Sequence, residues 1–307
     1  MKRGGEGIIR EEYLKRLRVV PGKSVSLKNF GTGWAQSEEL KNAGKAAVKE
    51  RAAEILEANR QALAESQELL WANNTHAVLI ILQGMDTSGK DGIIRHVITG
   101  MNPQGCRVSS FGVPTEEELD HDFLWRHVLK LPAKGEIGVF NRSYYEEVLV
   151  VRVHPELLEK QRLPPGTRDE EFWKRRYREI NAFERYLTEN GTKVLKFFLH
   201  ISKEEQKERL MARLENEEKY WKFSLTDLAE RRYWNDYREV YETMLEKTST
   251  DHAPWYVIPA DYKWAARTLV ADLISTQIRS LGLSYPEVSP QQMDEIRTAR
   301  RILENEE

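Results

Sequence analysis

At 307 residues, with 40% hydrophobic and 31% charged side chains, the chain can bury one large α/β core, or one core plus a helical appendage. It has no apolar run of about 18 residues and its opening, MKRGGEGIIREE, is charged, so neither a membrane span nor a secretory segment is expected. The single cysteine, Cys106, excludes an intramolecular disulfide and fits a reducing cytoplasm, and the scattered histidines argue against zinc. A net charge of −2 confines any anion site to a local patch, with neither nucleic acid nor membrane expected as a partner.

Residues 1–36 mix charges with glycines and read as a partly ordered arm. From Ser37 to Trp71 the pattern predicts one long amphipathic helix, with Leu56, Leu63 and Leu70 at seven-residue spacing. Its apolar face suits packing on the core or on another subunit, so a homo-oligomer is expected. Ala77 to Leu82 is an unbroken apolar run, the signature of a parallel strand buried on both faces. Strands at Cys106–Val113, Ile137–Phe140, Lys193–Ile201 and Trp255–Ile258 alternate with helices at Thr115–Leu131, Arg168–Thr188 and Lys263–Leu281. Helices at Lys203–Glu217 and Leu225–Glu246 sit before the last strand. The alternation predicts an α/β fold, a parallel five-stranded sheet covered by helices on both faces. One domain over 37–282 is expected, with 203–246 as a helical lid and 283–307 as a polar tail.

Behind the first strand, GMDTSGKDG places Gly84, Gly89 and Lys90 at the G-x-x-x-x-G-K spacing of a phosphate-binding loop. Glycines let the backbone curl so that N–H groups converge on a phosphate, and the lysine reaches its outer oxygens. Thr87, Ser88 and Gly92 complete the loop. Where a standard loop has Ser or Thr to hold magnesium, this one has Asp91. Asp86 lies inside the loop, and two carboxylates beside phosphate need a divalent cation between them. Asp86 is thus the expected Mg²⁺ anchor, with Mn²⁺ as an alternative. Asp91 is either a second metal acid or a first-turn acid favoured by the helix dipole.

The third strand ends in GVFNRSYYEE. Asn141 stands where an acid commonly supports the metal. Arg142 suits bidentate phosphate recognition, and Glu146 lies within reach of the same pocket, unless the two form a structural ion pair. In the lid, Arg209 and Arg213 are spaced i,i+4, Lys222 sits in the connection, and Arg231 and Arg232 open the next helix. They read either as a solvated, salt-bridged hairpin or as a lid closing cations over phosphates. The nearby aromatics, Tyr220 to Tyr237, read as core more readily than as base-stacking platforms.

These motifs together resemble the polyphosphate kinase 2 family. GMDTSGKDG, FGVPTEEE, HDFLWR, FNRSYYE, LKFFLHISKEEQ, WKF and APWYVIPAD all look like that family, over residues 40–282. The resemblance implies a thymidylate-kinase-like P-loop fold with a helical lid and transfer of a terminal phosphate from inorganic polyphosphate to a nucleotide, reversibly. It implies that Asp86 and Lys90 serve metal and phosphate, Arg142 the transferring phosphate, and Arg209 and Lys222 the lid. The FNRSxYE form is most similar to the class accepting both AMP and ADP, with Glu146 at the nucleotide end. Thr87-Ser88 departs from the commoner small pair and leaves nucleotide preference open. In-line transfer without a covalent intermediate is expected, with guanine nucleotides also admissible. An ATP-dependent nucleoside monophosphate kinase and a non-catalytic polyanion-binding module are the alternatives.

Overall fold

The computed structural model describes residues 14–35, 37–222 and 224–306. A short helix α1 (Glu38–Ala43) leads into the long α2 (Lys45–Asn73). Then follow β1 (Ala77–Gln83), α3 (Lys90–Ile93), β2 (Cys106–Ser110), α4 (Glu116–Leu119), α5 (Trp125–Val128), β3 (Ile137–Asn141) and α6 (Val150–Val153). The second half carries α7 (Glu170–Glu189), β4 (Thr192–His200), α8 (Lys203–Leu214), α9 (Leu225–Glu230), α10 (Trp234–Thr248), β5 (Trp255–Pro259), α11 (Lys263–Arg279) and α12 (Pro290–Glu304). Among the described residues no helix is long and apolar enough to cross a membrane.

All five strands are parallel, in the order β2-β3-β1-β4-β5. Every residue of β1 is buried, as its unbroken apolar run requires. Period-two geometry sends Val78, Ile80 and Leu82 to one face, where Leu63 and Leu70 of α2 and Val270 and Ile274 of α11 complete a core. Leu79 and Ile81 face the other way, onto Tyr177 and Ile180 of α7 and Met244 and Leu245 of α10. β1 is central, so the loop that follows it opens in the crevice at the carboxyl edge of the sheet.

Several elements differ from the sequence expectation, each for a local reason. The helix expected over 37–71 breaks at Gly44, whose φ of +80° ends α1, and then runs on to a left-handed Asn74 cap. The helix expected over 115–131 is two short turns. A Thr115–Glu118 capping box starts the first, and the Asp122 carboxylate captures the Leu124 N–H and restarts the chain. The second lid helix divides at Arg231–Tyr233 into α9 and α10. The C-terminal tail is helical from Pro290 to Glu304, opened by a Ser289–Gln292 capping box, and exposed throughout. Residues 14–35 of the expected arm are built into the body. Val19 N donates to Trp255 O at 2.9 Å, and Arg18 bridges Tyr256 antiparallel, which covers the open edge of β5.

Candidate active site

The phosphate loop leaves β1 at Gln83 and turns on Gly84, whose φ is +154°. A Cβ there would meet Leu199 O at 2.9 Å and Ser88 Oγ at 2.6 Å, so only glycine lets the chain pass. Gly89, at φ +109°, hands the loop to α3. Between them Thr87 holds a left-handed φ of +63°, unusual for a β-branched residue. The Lys90 ammonium donates back to Gly84 O at 2.6 Å and Met85 O at 3.3 Å. Burial lowers its pKa, Asp86 opposes that, and the Arg142 charge adds to it.

Arg142 follows β3 and is also left-handed, at φ +63°, with its N–H donated to Leu82 O. That kink aims the guanidinium across the crevice, and Nη2 lies 3.3 Å from Asp86 Oδ1. Burial works against the Arg142 charge, but Glu146 and Asp86 outweigh it and hold the group more firmly protonated. The hydrogen-bonded partner of Arg142 is thus Asp86 rather than Glu146. Glu146 is half-buried close to Arg142 and Lys90. Burial raises its pKa, while Arg142, Lys90 and a hydrogen bond from Gln83 pull it back.

Asn141 donates through Nδ2 to Asp91 Oδ1 at 2.9 Å, so the strand-end amide fixes the first-turn acid of α3. Its Oδ1, with Thr87 Oγ1 and Ser88 Oγ, is buried without a hydrogen-bond partner. Asp86, Asp91 and Asn141 line a cleft of about 770 Å³ together with Ser88. This all-oxygen set fits a hard divalent cation that completes its shell with phosphate oxygens and water. Among the described residues no closed group of three His, Cys, Asp or Glu side chains exists, so any cation there depends on substrate oxygens.

The structure brings Asp86, Thr87, Ser88, Gly89, Lys90, Asp91, Gly92, Asn141 and Arg142 to this one cleft, with Arg213 from the lid. Arg213 Nη1 pairs with Asp227 Oδ2 at 2.9 Å and so ties α8 to α9. Burial raises the Asp227 pKa, and Asp86 adds to it. Two expected lid cations stand elsewhere. Arg231 donates to Lys203 O and Gln206 Oε1, and Arg232 is exposed; neither lines the cleft, because the turn at 231–233 rotates both away. Arg209 reaches the cleft wall with every N–H group bonded to the protein. Phe223 and the Lys222 side chain lie outside the described residues.

Other lining residues carried no sequence signal. Arg95, Lys263 and Arg267 add positive charge beside α3, and Arg267 Nη2 comes within 3.6 Å of where a Gly92 Cβ would stand. Tyr241 of α10 is buried close to the loop; burial raises its pKa, and Glu146 and Asp86 add to the effect. Tyr241 sits at an ordinary helical core position.

Comparison with known proteins agrees with this geometry. The model of the family described as Polyphosphate kinase 2 matches residues 46–283. A protein of Rhodopseudomonas palustris named ADP-polyphosphate phosphotransferase is 48% identical over 94% of this chain and 98% of its own. One of Meiothermus ruber named AMP/ADP-polyphosphate phosphotransferase is 47% identical over 89% of this chain and 96% of its own. A crystal structure of Polyphosphate Kinase 2 from Arthrobacter aurescens superposes with a TM-score of 0.79 at 42% identity, over 93% of this chain and 95% of that one. Loop, strand-end arginine, sheet order and similarity over nearly the whole length agree, and the chain belongs to the polyphosphate kinase 2 family.

Proposed function

We propose that the protein transfers the terminal phosphate of inorganic polyphosphate to ADP and AMP, and runs the reaction in reverse, by in-line displacement. The observation that carries this reading is a phosphate loop whose Lys90, Asp86 and Arg142 converge within one cationic cleft. The names of the two relatives support the donor and differ in the acceptor. The loop N–H groups and Lys90 would hold a terminal phosphate, while Arg142 and Arg213 neutralise the charge that develops on the transferring group. Glu146 and Tyr241 lie close enough to Arg142 to help hold its charge. A Mg²⁺ or Mn²⁺ ion held by Asp86, with Asn141 and Asp91 beside it, would offset repulsion between phosphate and carboxylate. No side chain need act as nucleophile, because positioning and charge supply the rate. Guanine nucleotides fit the same scheme, since the chain's clearest ligand chemistry is directed at phosphate. A cytoplasmic homo-oligomer is part of the proposal.

Luciferase-detected ATP formation from purified protein, Mg²⁺, polyphosphate and either ADP or AMP tests this. ATP from ADP is expected, as is ATP from AMP through a second transfer. The Lys90→Ala variant should lose at least about a hundredfold in turnover while keeping its melting temperature. Phosphorylation of AMP by ATP, without turnover of polyphosphate, would overturn the donor assignment.

A further inference from the structure

Three carbonyls of the phosphate loop are held by two side chains of α8. Gln206 Nε2 donates to Asp86 O at 3.1 Å. Arg209 Nη1 donates to Thr87 O at 2.8 Å and Ser88 O at 3.2 Å. With Lys90 on Gly84 O and Met85 O, five successive carbonyls, 84 to 88, each receive a side-chain donor.

A trans peptide unit is planar, so its C=O and N–H point in opposite directions. No cis peptide bond occurs in the described chain. Capturing a carbonyl therefore aims the next residue's N–H away from the group that captures it. The exception is Ser88, whose N–H turns back on Met85 O. Lys90 is the group that must reach for phosphate, so its two bonds are the ones that change when substrate arrives. Gln206 and Arg209 are one helical turn apart and nine-tenths buried or more.

Arg209 has no N–H to spare. Nε pairs with Glu205 at 2.7 Å, and Nη2 donates to Ala260 O at 2.7 Å and Asp261 O at 3.0 Å. With the two bonds from Nη1 this accounts for all five donors of a guanidinium. A phosphate contact would require breaking one of them. Gln206 is itself held by Arg231, which donates to Oε1 at 2.7 Å from the segment between α9 and α10.

We propose that Gln206 and Arg209 are positioning residues that mould the phosphate loop. They fix the strained Thr87 and aim the loop N–H groups at the transferring phosphate, while making no phosphate contact themselves. The inference rests on the function proposed above for what the loop holds. It does not rest on it for the shape of the loop.

The test compares wild type, Arg209→Lys and Gln206→Leu without substrate. Millisecond hydrogen exchange read by mass spectrometry would follow the peptide covering residues 84–92, and kinetics with polyphosphate and ADP would follow. An ammonium cannot span four carbonyls and an acid as the guanidinium fork does. Both variants should exchange about tenfold faster in the loop peptide with the β1 peptide unchanged, as for a local opening. Turnover should fall about a hundredfold for Arg209→Lys and about tenfold for Gln206→Leu, with KM for polyphosphate changed less than about threefold.

Gln206→Leu removes no charge, so an effect on the empty loop cannot reflect a lost phosphate contact. It decides the matter even if Arg209→Lys fails to fold. Unchanged loop exchange in Gln206→Leu would overturn the proposal. So would a raised KM with turnover preserved in Arg209→Lys, which would make Arg209 a donor-binding residue. Because the exchange is read without substrate, it stands or falls separately from the choice of phosphate donor.

Discussion

His127 shows how a single buried group can set the response of this protein to acid. It packs against Phe111 at a ring separation of 4.2 Å and edge-on to Tyr144, is 4% exposed, and bonds to Phe123 O through Nδ1. Burial, reinforced by Arg126, pushes its pKa down to about 3. The unfolded chain binds a proton near pH 6.5 and the fold refuses it until about pH 3, so stability rises with pH across that window and is lost as pH falls through it. Between pH 7 and pH 5 this one residue should cost about 2 kcal/mol. Replacing it by phenylalanine, which suits the surrounding rings, should remove that part of the acid sensitivity. Urea midpoints of both proteins at the two pH values measure it, and parallel declines would reject the assignment. Glu146 behaves oppositely. Its raised pKa means the fold favours its neutral form, so its contribution fades as pH climbs from the ordinary carboxylate range through the raised value.

Between elements, the segment carrying Arg142 is pinned by a buried polar network. Lys196 of β4 is fully buried, and its ammonium reaches Glu184 of α7 at 2.6 Å, Thr248 O at 2.7 Å and the Tyr145 hydroxyl at 2.9 Å. Both Tyr144 and Tyr145 donate to Glu184 Oε1, at 2.8 Å and 2.7 Å. The paired tyrosines after Arg142 are therefore anchors that bind the strand-end turn to α7 and β4. Lys196→Met leaves the Glu184 charge buried without its cation and should cost about 3–5 kcal/mol. The double change Lys196→Met with Glu184→Leu should recover most of that loss, with the cycle read from chemical denaturation. A double variant as unstable as the single one would mean that packing, rather than the uncompensated charge, sets the cost. Nothing local marks Lys196. Its spacing from Glu184 fits a surface pair equally well.

At the scale of the molecule, the two ends differ in how far they are built into the core. Leu17, Val19 and Leu27 are buried, Leu27 N donates to Glu242 Oε1 at 2.7 Å, and Asp261 N donates to Thr32 O. α12 buries no residue and exposes Ile296, Ile302 and Leu303. Burying each apolar side chain is worth about 1.5–3 kcal/mol, so deleting residues 1–35 should lower the melting temperature by roughly 10 °C. Deleting 290–307 should move it by less than about 1 °C. Thermal unfolding of the two truncations checks both. A large drop on removing α12 would place its apolar stripe in an interface between copies.

Local chemistry was enough for the loop, the strand-end arginine and the order of strands and helices. Gly84, Gly89 and Lys90 act on their own neighbours, and an apolar run such as Ala77–Leu82 must be buried wherever it folds. Helix ends were less legible, because Gly44 and Asp122 act through single dihedrals and side-chain bonds that periodicity averages away. Only the tertiary structure decided that Arg209 bonds to the loop carbonyls and that Arg231 bonds to Gln206 and does not line the cleft. It alone also brought Tyr241 and Arg267 to the site. Those contacts join residues that lie far apart along the chain, and a charge or a ring in sequence does not say which of many distant carbonyls, carboxylates or phosphates it will meet. That choice is made by the packing of α8, α10 and α11 on the sheet.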